Sequence, residues 1–484
     1  MNEIDKTIIE ELASRVEELG GRAYMVGGAV RDEIMKRPIK DVDIEVHGIS
    51  GAVLETVLKE LGKPLRFGSA FGVYSLAGHQ IDIALPRSER KAGNGHRDFE
   101  IEIDPFIGIK EAARRRDFTM NALLKDILTG EIADPYGGTE DIENRIIRHI
   151  DDKKFGEDPL RALRAAQFRS RFGFQVAPST ISICSALDLR YLSAERVEME
   201  MKKALLESHR PSEFFECLRE MGQLGYWFQE LEQLIGLEQN PKFHPEGDVW
   251  THTMMVLDRA AQFRPSASDP YAFMLLALTH DFGKITTTEF VNGAIHAYGH
   301  ELQGAEIAER FLDRVCHGSD IKKYISNMIP NHMRPNKIAE ARSSVKKTNR
   351  MFDDAIAPND LIYFAICDKP KLPHLDVRNL SQAPNEPHEL LDDTSRESEL
   401  YTADEKLRDQ ERIKFLFDRL DLYRDMMARS YVTGKDLIDR GIMPGDDFGI
   451  ILEHAHKLRL AGVSKDDALK QTLSYARKLR KNIK

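Results

Sequence analysis

A chain of 484 residues with 42 % apolar side chains has room for about three domains and enough apolar residues for real cores, which excludes wholesale disorder. Its net charge of −10 argues against a protein that simply coats nucleic acid, although nine Lys/Arg face only two Asp between Lys457 and Lys484. A charged start without an apolar stretch predicts no signal peptide, and four widely spaced cysteines (Cys184, Cys217, Cys316, Cys367) fit a reducing cytoplasm.

In chain order, Asp5 to Leu19 has helical spacing (Ile8, Ile9, Leu12, Val16) and stops at Gly20-Gly21. Short β-rich segments follow at Ala23–Val26, Val42–Val46, Val73–Leu76 and Gln80–Leu85, with a helical stretch at Val53–Leu61. Together they predict a small mixed α/β unit over the first 150 residues. The stretch from Pro86 to Ala113, with Gly93-Asn-Gly95, reads as a flexible connector. From about Asp158 strand signals almost vanish and amphipathic helical patterns dominate, with seams at Gln239-Asn240-Pro241 and around Pro370 to Pro387. The longest apolar run, Tyr271 to Leu278, is far short of the ~20 residues a membrane span needs.

The first cluster of chemistry lies at residues 25–43. A strand runs into Gly27-Gly28 and a helix begins near Ala29 with Arg31 in its first turns. Glycines at a strand–helix junction let backbone N–H groups approach a phosphate, and Arg31 is placed to hold a triphosphate oxygen. Asp41 and Asp43 are two apart on the next strand, so both point to one face and suit a pair of Mg²⁺ ions; Asp82 stands on a neighbouring strand. Two further clusters follow: Arg115-Arg116-Asp117, then Glu157-Asp158-Pro-Leu-Arg161 with Arg164. Asp158 before Pro159 also reads as a helix N-cap with Pro in the first helical position. On a helix facing a nucleotide, a carboxylate accepts from the exocyclic amine of cytosine or adenine while a guanidinium donates to the adjacent ring nitrogen. Uracil and guanine mismatch both contacts, so an Asp–Arg pair is a protein template for C and A.

A second cluster places His252, the adjacent His280-Asp281 with Lys284, His300, His332 and Asp368 along the helical region. Imidazole and carboxylate suit first-row transition metals, and adjacent His280 and Asp281 reach one metal or two neighbouring ones.

Gly27-Gly28-x-Val30-Arg31-Asp32 with Asp41-x-Asp43, then Arg115-Arg116-Asp117 and Glu157-Asp158-x-x-Arg161, resembles the bacterial class of CCA-adding tRNA nucleotidyltransferases and poly(A) polymerases. The Glu-Asp-x-x-Arg form is closer to the CCA-adding members. Many members have Arg three residues after Arg164, where this chain has Gln167. The resemblance implies catalytic Asp41 and Asp43 with Mg²⁺, and nucleotide binding by Gly27, Gly28, Arg31, Arg116, Asp117, Asp158, Arg161 and Arg164. The order His, His-Asp, His, His, Asp resembles HD-domain phosphohydrolases. It implies a transition metal such as Ni, Mn or Co on His252, His280, Asp281 and Asp368, a second metal where present on His300 and His332, and Lys284 on phosphate. Gly434-Lys-Asp-Leu … Gly441-x-x-Pro-Gly resembles the family's tRNA-contacting tail.

The implied architecture is α+β: a nucleotidyltransferase head over 1–150, an elongated all-α neck with the nucleotide template over 151–238, an HD domain over 239–375 and a helical tail over 376–484. The expected function is addition of CCA to tRNA 3′ ends from CTP and ATP, with an HD phosphatase or 2′,3′-cyclic phosphodiesterase activity, in the cytoplasm and without a membrane partner. Rival expectations are an enzyme adding only the terminal A, a poly(A) polymerase, an HD phosphodiesterase with an RNA-gripping head, and a non-catalytic RNA-binding protein. The intact carboxylate and arginine set argues against the last two.

Overall fold

Leu12 and Val16 of the first helix are buried against Leu54 and Leu58 of the third, on one side of a seven-stranded sheet. The computed structural model describes residues 3–39, 41–67, 72–79, 81–91, 99–369 and 403–481. It divides into two units, Met1–Trp227 and Phe228–Lys484.

The first unit runs α1 (Glu3–Glu18), β1 (Arg22–Val26), α2 (Gly28–Ile34), β2 (Val42–His47), α3 (Gly51–Leu61), β3 (Pro64–Phe67), β4 (Val73–Leu76), β5 (Ile81–Ala84), β6 (Arg87–Lys91), β7 (Phe99–Ile103), α4 (Ile109–Arg114), β8 (Leu124–Asp126) and β9 (Ile132–Ala133). It continues with α5 (Gly138–Glu143), β10 (Ile146–Ile147), α6 (Asp152–Phe155), α7 (Leu160–Phe172), β11 (Gln175–Val176), α8 (Pro178–Ser185), α9 (Ala194–Glu207) and α10 (Ser212–Glu220). The main sheet has the order β3-β4-β5-β2-β1-β8-β9. Only β2 and β5 pair in parallel, with Asp43 opposite Asp82; the other pairs are antiparallel. Alternation sends Val42, Ile44 and Val46 into the core and puts Asp43 on the opposite face.

The second unit contains α11 (Gln229–Glu232), α12 (Val249–Phe263), α13 (Pro270–Thr279), α14 (Lys284–Thr287), β12 (Thr288–Val291), β13 (Ala294–Ala297), α15 (His300–Val315), α16 (Ser319–Asn331), α17 (Arg334–Glu340), α18 (Val345–Asp354) and α19 (Pro358–Cys367). After the undescribed stretch come α20 (Ala403–Ala428), α21 (Gly434–Ile438), α22 (Phe448–Leu460) and α23 (Lys465–Lys481). The apolar run foreseen at Tyr271–Leu278 is α13. It is capped by Asp269, whose side chain accepts from the Tyr271 and Ala272 N–H groups, and every residue from Tyr271 to Thr279 is buried. At ~1.5–3 kcal/mol per large buried side chain, α13 anchors the unit, and Leu276→Ala is a cavity mutation costing ~2–5 kcal/mol. The basic tail is partly structural: Leu469 and Ala476 of α23 pack with Leu437, Ile442 and Ile451.

Several expectations are corrected. The connector at 86–113 is partly ordered: β6 and β7 form an antiparallel pair and α4 follows, while Gly93-Asn-Gly95 lies outside the described residues. The helical body contains a hairpin, β12–β13, that the sequence reading lacked. Its Asn292-Gly293 turn, both residues at positive φ, is a hairpin signal in plain view. The cap of α7 is Pro159; Asp158 sits one residue earlier, and the one helix N–H its side chain accepts from is that of Leu160, at 3.1 Å. The seam at Pro370–Pro387 lies outside the described residues.

Candidate functional site

In the first unit, β1 ends at Gly27, whose φ of 66° is a glycine conformation. A Cβ there would stand 2.8 Å from Arg116 Nη1. Glycine therefore serves a close approach: it lets the Arg116 guanidinium lie against the turn into α2. Arg116 donates to the Asn121 carbonyl at 3.3 Å and to Glu45 at 3.4 Å. Arg31, 5 % exposed, donates to Asp32 at 2.8 Å and to Asn121 Oδ1 at 2.7 Å. Its guanidinium lies over the rings of Phe172 and Phe168 on α7, 4.8 and 5.3 Å from their centroids. Burial lowers the pKa of both arginines, against the pull of Asp32 on Arg31 and of Glu45 on Arg116. An anion delivered to these two groups would relieve that cost.

Asp41, Asp43 and Asp82 are exposed on the sheet face beside this turn. Burial of its carboxyl raises the Asp43 pKa, Asp82 and Asp41 raise it further, and Arg116 opposes them. That is the electrostatic condition of a site short of a cation, and the all-oxygen donor set suits Mg²⁺. The three carboxylates do not form a ready-made three-ligand cluster in this conformation.

The neck residues are placed as follows. Asp117 accepts from its neighbour Phe118 N–H, from Asn121 Nδ2 and from Arg164 Nε, at 2.8, 2.9 and 2.6 Å. It is a buried latch holding Asn121 and Arg164, where the sequence suggested direct nucleotide contact. Arg161 donates to the backbone carbonyls of Lys154 and Arg115, at 2.8 and 2.6 Å. Asp158 accepts from Arg196 at 3.0 and 3.2 Å. Arg161 and Asp158 are thus both oriented by protein partners rather than by each other. Gln167 is buried, 1 % exposed. The sequence reading missed Asn121, Phe168, Phe172, Arg196 and Glu45. Of these only Glu45 carried a signal, as the next residue on the face of Asp41 and Asp43.

In the second unit the histidine–aspartate set converges from five helices. His252 is on α12, His280 caps α13 and is followed by Asp281, His300 opens α15, His332 caps α16 and Asp368 caps α19. Gly283 makes this assembly possible, because a Cβ there would lie 1.9 Å from the His300 carbonyl oxygen. His280, His300 and His332 each donate Nδ1–H to a carbonyl three residues back, at 3.0, 2.8 and 2.6 Å. A carbonyl only accepts, so in the neutral ring each Nε2 is left as a lone pair. All three Nε2 atoms are buried with no hydrogen-bond partner. His252 donates Nδ1–H to Glu246 at 2.7 Å, and its Nε2 stands 3.1 Å from Asp368.

Asp281 is shared. The ligand atoms of His252, His280 and Asp281 form one tight group, and those of Asp281, His300 and His332 form another, all within 4.8 Å of one another in each. Orphaned imidazole lone pairs around a carboxylate fit a transition metal, with Glu246 as the outer carboxylate that orients His252. Burial disfavours the His280 imidazolium, but Asp281 and Asp368 outweigh it and lift His280 to about 10, so without an ion its Nε2 carries a proton that a metal would have to displace. Burial, helped by His280 and His300, takes His332 down to about 4. Lys284 is engaged with Asp281 and Gln239, at 2.7 and 2.6 Å. It neutralises the shared carboxylate, where the sequence suggested a phosphate contact. The cluster forms the floor of a cleft of ≈ 1050 Å³.

Comparison with known proteins agrees with this layout. Residues 23–148 match the family model of the poly(A) polymerase head domain, and residues 249–421 match that of the HD domain. The chain is 37 % identical over 326 residues to the multifunctional CCA protein of Actinobacillus pleuropneumoniae serotype 5b, covering 66 % of this chain and 77 % of that one. The multifunctional CCA protein of Nitrosococcus oceani is 39 % identical over 296 residues, covering 60 % and 70 %. In fold, the chain is similar to the Thermotoga maritima CCA-adding enzyme complexed with tRNA (TM-score 0.62, 19 % identity, 97 % and 95 % of the two chains). It is also similar to the Bacillus stearothermophilus CCA-adding enzyme in complex with CTP (TM-score 0.59, 20 % identity, 100 % of both). Among the described residues no helix is long and apolar enough to cross a membrane. A glycine turn holding a buried arginine beside paired strand carboxylates, the matched head and HD models, and relatives of this identity lead to one conclusion: the chain is a nucleotidyltransferase belonging to the multifunctional CCA protein family.

Proposed function

We propose that the enzyme adds C, C and A to tRNA 3′ ends from CTP and ATP, and that its HD domain removes phosphate from RNA ends as a phosphatase or 2′,3′-cyclic phosphodiesterase. The division of labour follows a head over 1–150, a neck over 151–238, an HD domain over 239–375 and a tail over 376–484. The observation that carries the transferase reading is Asp43 standing opposite Asp82 on parallel strands, beside Gly27 and the buried guanidinium of Arg116.

Asp41 and Asp43 hold Mg²⁺, which when bound acidifies the 3′-hydroxyl and neutralises the leaving pyrophosphate. Arg31 and Arg116, already desolvated, donate to the triphosphate, whose charge adds to that of Asp32 and Glu45 in offsetting their burial. Asp117 keeps Arg164 and Asn121 in place. Arg161 turns an N–H towards the ring nitrogen of the incoming base, and Asp158, steadied by Arg196, accepts from its exocyclic amine. In the HD domain, His252, His280, Asp281 and Asp368 would hold a transition metal, with His300 and His332 for a second where one is present. Such a metal would supply Lewis-acid activation of water at neutral pH. Glu246 fixes the His252 ring and Lys284 balances the charge of Asp281.

The transferase test offers tRNAs ending before CCA, after C and after CC, each with one nucleotide, and sequences the products. Stepwise C, C, A is expected; A alone on the CC end identifies an A-adding enzyme, and an open A tract identifies a poly(A) polymerase. For the HD domain, metal content per chain is measured together with cleavage of 2′,3′-cyclic AMP and a phosphomonoester. No metal under any loading and no cleavage would withdraw the hydrolase reading.

A further inference from the structure

Four guanidiniums share two phenylalanine rings on α7. Phe168 and Phe172 are stacked on each other, centroids 5.5 Å apart and planes 11° from parallel, so they form one continuous platform. Arg164 lies over Phe168 and Arg31 over both rings. Arg37 and Arg171 lie over Phe172, 4.8 and 5.3 Å from its centroid. A ring face holds a guanidinium in place without neutralising it.

The carboxylates fall one short of this charge. Asp117, Asp32 and Glu207 pair with Arg164, Arg31 and Arg171, at 2.6, 2.7 and 2.8 Å. Among the described residues no carboxylate pairs with Arg37, whose guanidinium donates to the Arg171 carbonyl at 3.3 Å. Burial and the neighbouring Arg171 lower the Arg37 pKa, and only Asp32, already paired, opposes them.

The backbone holds Arg37 at the ring. At the end of α2 the Lys36 N–H donates to the Glu33 carbonyl at 2.9 Å and the Arg37 N–H to the Asp32 carbonyl at 2.7 Å. These are the two bonds of a left-handed helix stop, whose turning position usually belongs to glycine. Here Lys36 takes it, at φ 55°. A side chain in that conformation is strained, and such strain is kept at ligand clamps. Pro38 restricts the Arg37 backbone from the other side.

The platform also lies in the direction the substrate runs. On the proposed reading Asp158 and Arg161 meet the base and Arg31 a triphosphate oxygen. From Arg161 to Phe172, α7 rises about 16 Å. A nucleotide laid base-first along the helix therefore passes Arg31 and brings its last phosphate to Phe172.

We propose that Arg37 and Arg171, held on Phe172, bind the terminal phosphate of the incoming nucleoside triphosphate, so that the head distinguishes a triphosphate from a diphosphate. This rests on the transferase reading and assigns the far end of its substrate.

The test is calorimetric titration of the full-length protein with CTP and with CDP, in Mg²⁺ and without tRNA. Wild type should bind CTP about tenfold more tightly than CDP, the scale of one hydrogen bond to a charged group. Arg37→Ala should weaken CTP by that factor and leave CDP unchanged. Arg37→Met, which keeps an unbranched side chain against the ring but no charge, should behave as the alanine variant does. Arg37 is exposed, so both variants are expected to fold. The subsite is overturned by a wild type without preference, by an unchanged preference in Arg37→Ala, by equal losses for CTP and CDP, or by recovery in Arg37→Met. A loss of tRNA affinity with CTP affinity intact also overturns it and gives Arg37 to an RNA backbone phosphate. Transfer assays separate the two readings. A wild type that adds no nucleotide to tRNA, yet loses its CTP preference in Arg37→Ala, keeps the subsite and loses the transferase. One that adds nucleotides while Arg37→Ala keeps the preference retains the transferase and loses the subsite.

Discussion

In the head, Asp41, Asp43 and Asp82 stand exposed on a sheet face, and the buried arginines behind them are held by Asp32, Asn121 and Glu45, with Arg116 Nε left over. In the HD domain the ligands are buried, and three imidazole nitrogens have no hydrogen-bond partner, with carboxylates only at ion-pair distance from two of them. The difference teaches what each centre does between turnovers. Exposed oxygen ligands tolerate the lack of an ion better than buried imidazoles without hydrogen bonds do, so on the proposed reading the head would take its metal with the substrate and the HD centre would keep its own.

The sharpest way to break this contrast is to remove the exposed ligands. Asp41→Ala or Asp43→Ala should lower nucleotide incorporation about 10³-fold, the scale of lost metal-ion catalysis, while tRNA binding and HD hydrolysis persist. Incorporation within tenfold of wild type in both variants would remove the metal assignment.

The head's buried charge makes the next test. Burial pushes the Glu45 carboxyl up, but the hydrogen bond from His47 and the guanidinium of Arg116 outweigh it and hold Glu45 at about 2, against an ordinary 4.5. A carboxyl more acidic folded than unfolded stabilises fully above pH 4.5, and that contribution is lost as the pH falls towards 2. The loss is about 3 kcal/mol. Denaturant unfolding followed against pH should show this slope in wild type and a flatter one in Glu45→Gln. A slope unchanged by the substitution assigns the acid sensitivity elsewhere.

The resident ion is tested by calorimetry. Transition metal at about 100 times its Kd should stabilise the HD domain by about 2.7 kcal/mol, and His280→Ala should abolish that gain. Mg²⁺ in the absence of nucleotide should not stabilise the head. Equal stabilisation of both units would erase the contrast.

A smaller effect is expected at the template. Asp158→Ala should reduce the preference for CTP and ATP over UTP and GTP by about tenfold, the discrimination of one base contact, measured by competition between nucleotides. Asp158 also accepts the Leu160 N–H, so a stability loss of ~1 kcal/mol is expected in addition. A lower melting temperature with intact discrimination would make Asp158 a helix-start residue only.

Much of this was legible because the chemistry is local. Asp41-x-Asp43 on a strand and His280-Asp281 at the end of an apolar helix are read from spacing alone. The partners were not. Arg31 finds Phe168 and Phe172 more than 130 residues away, and nothing in an aromatic's own neighbourhood announces that it will carry a guanidinium. Asp117 and Lys284 are a different case. Spacing picked out the residues but not their protein partners, Arg164 for Asp117 and Asp281 for Lys284. The strands of the β12–β13 hairpin carry no strand pattern, since Phe290 and Val291 are exposed and lack the alternation of a half-buried strand, and only the Asn292-Gly293 turn announces them.

The clearance at Gly283 has a mechanical consequence for the HD centre. A methyl group there would collide with backbone, the His300 carbonyl, and not with a side chain able to swing aside. The Gly283→Ala chain can relieve the clash only by parting the backbone at 283 from the start of α15, which separates His300 from Asp281. One hydrogen atom in place of a methyl therefore bears on the geometry of the proposed centre. The substituted protein should hold less metal per chain than wild type, and elemental analysis reads the number directly; an unaltered content would show that the centre tolerates the shift.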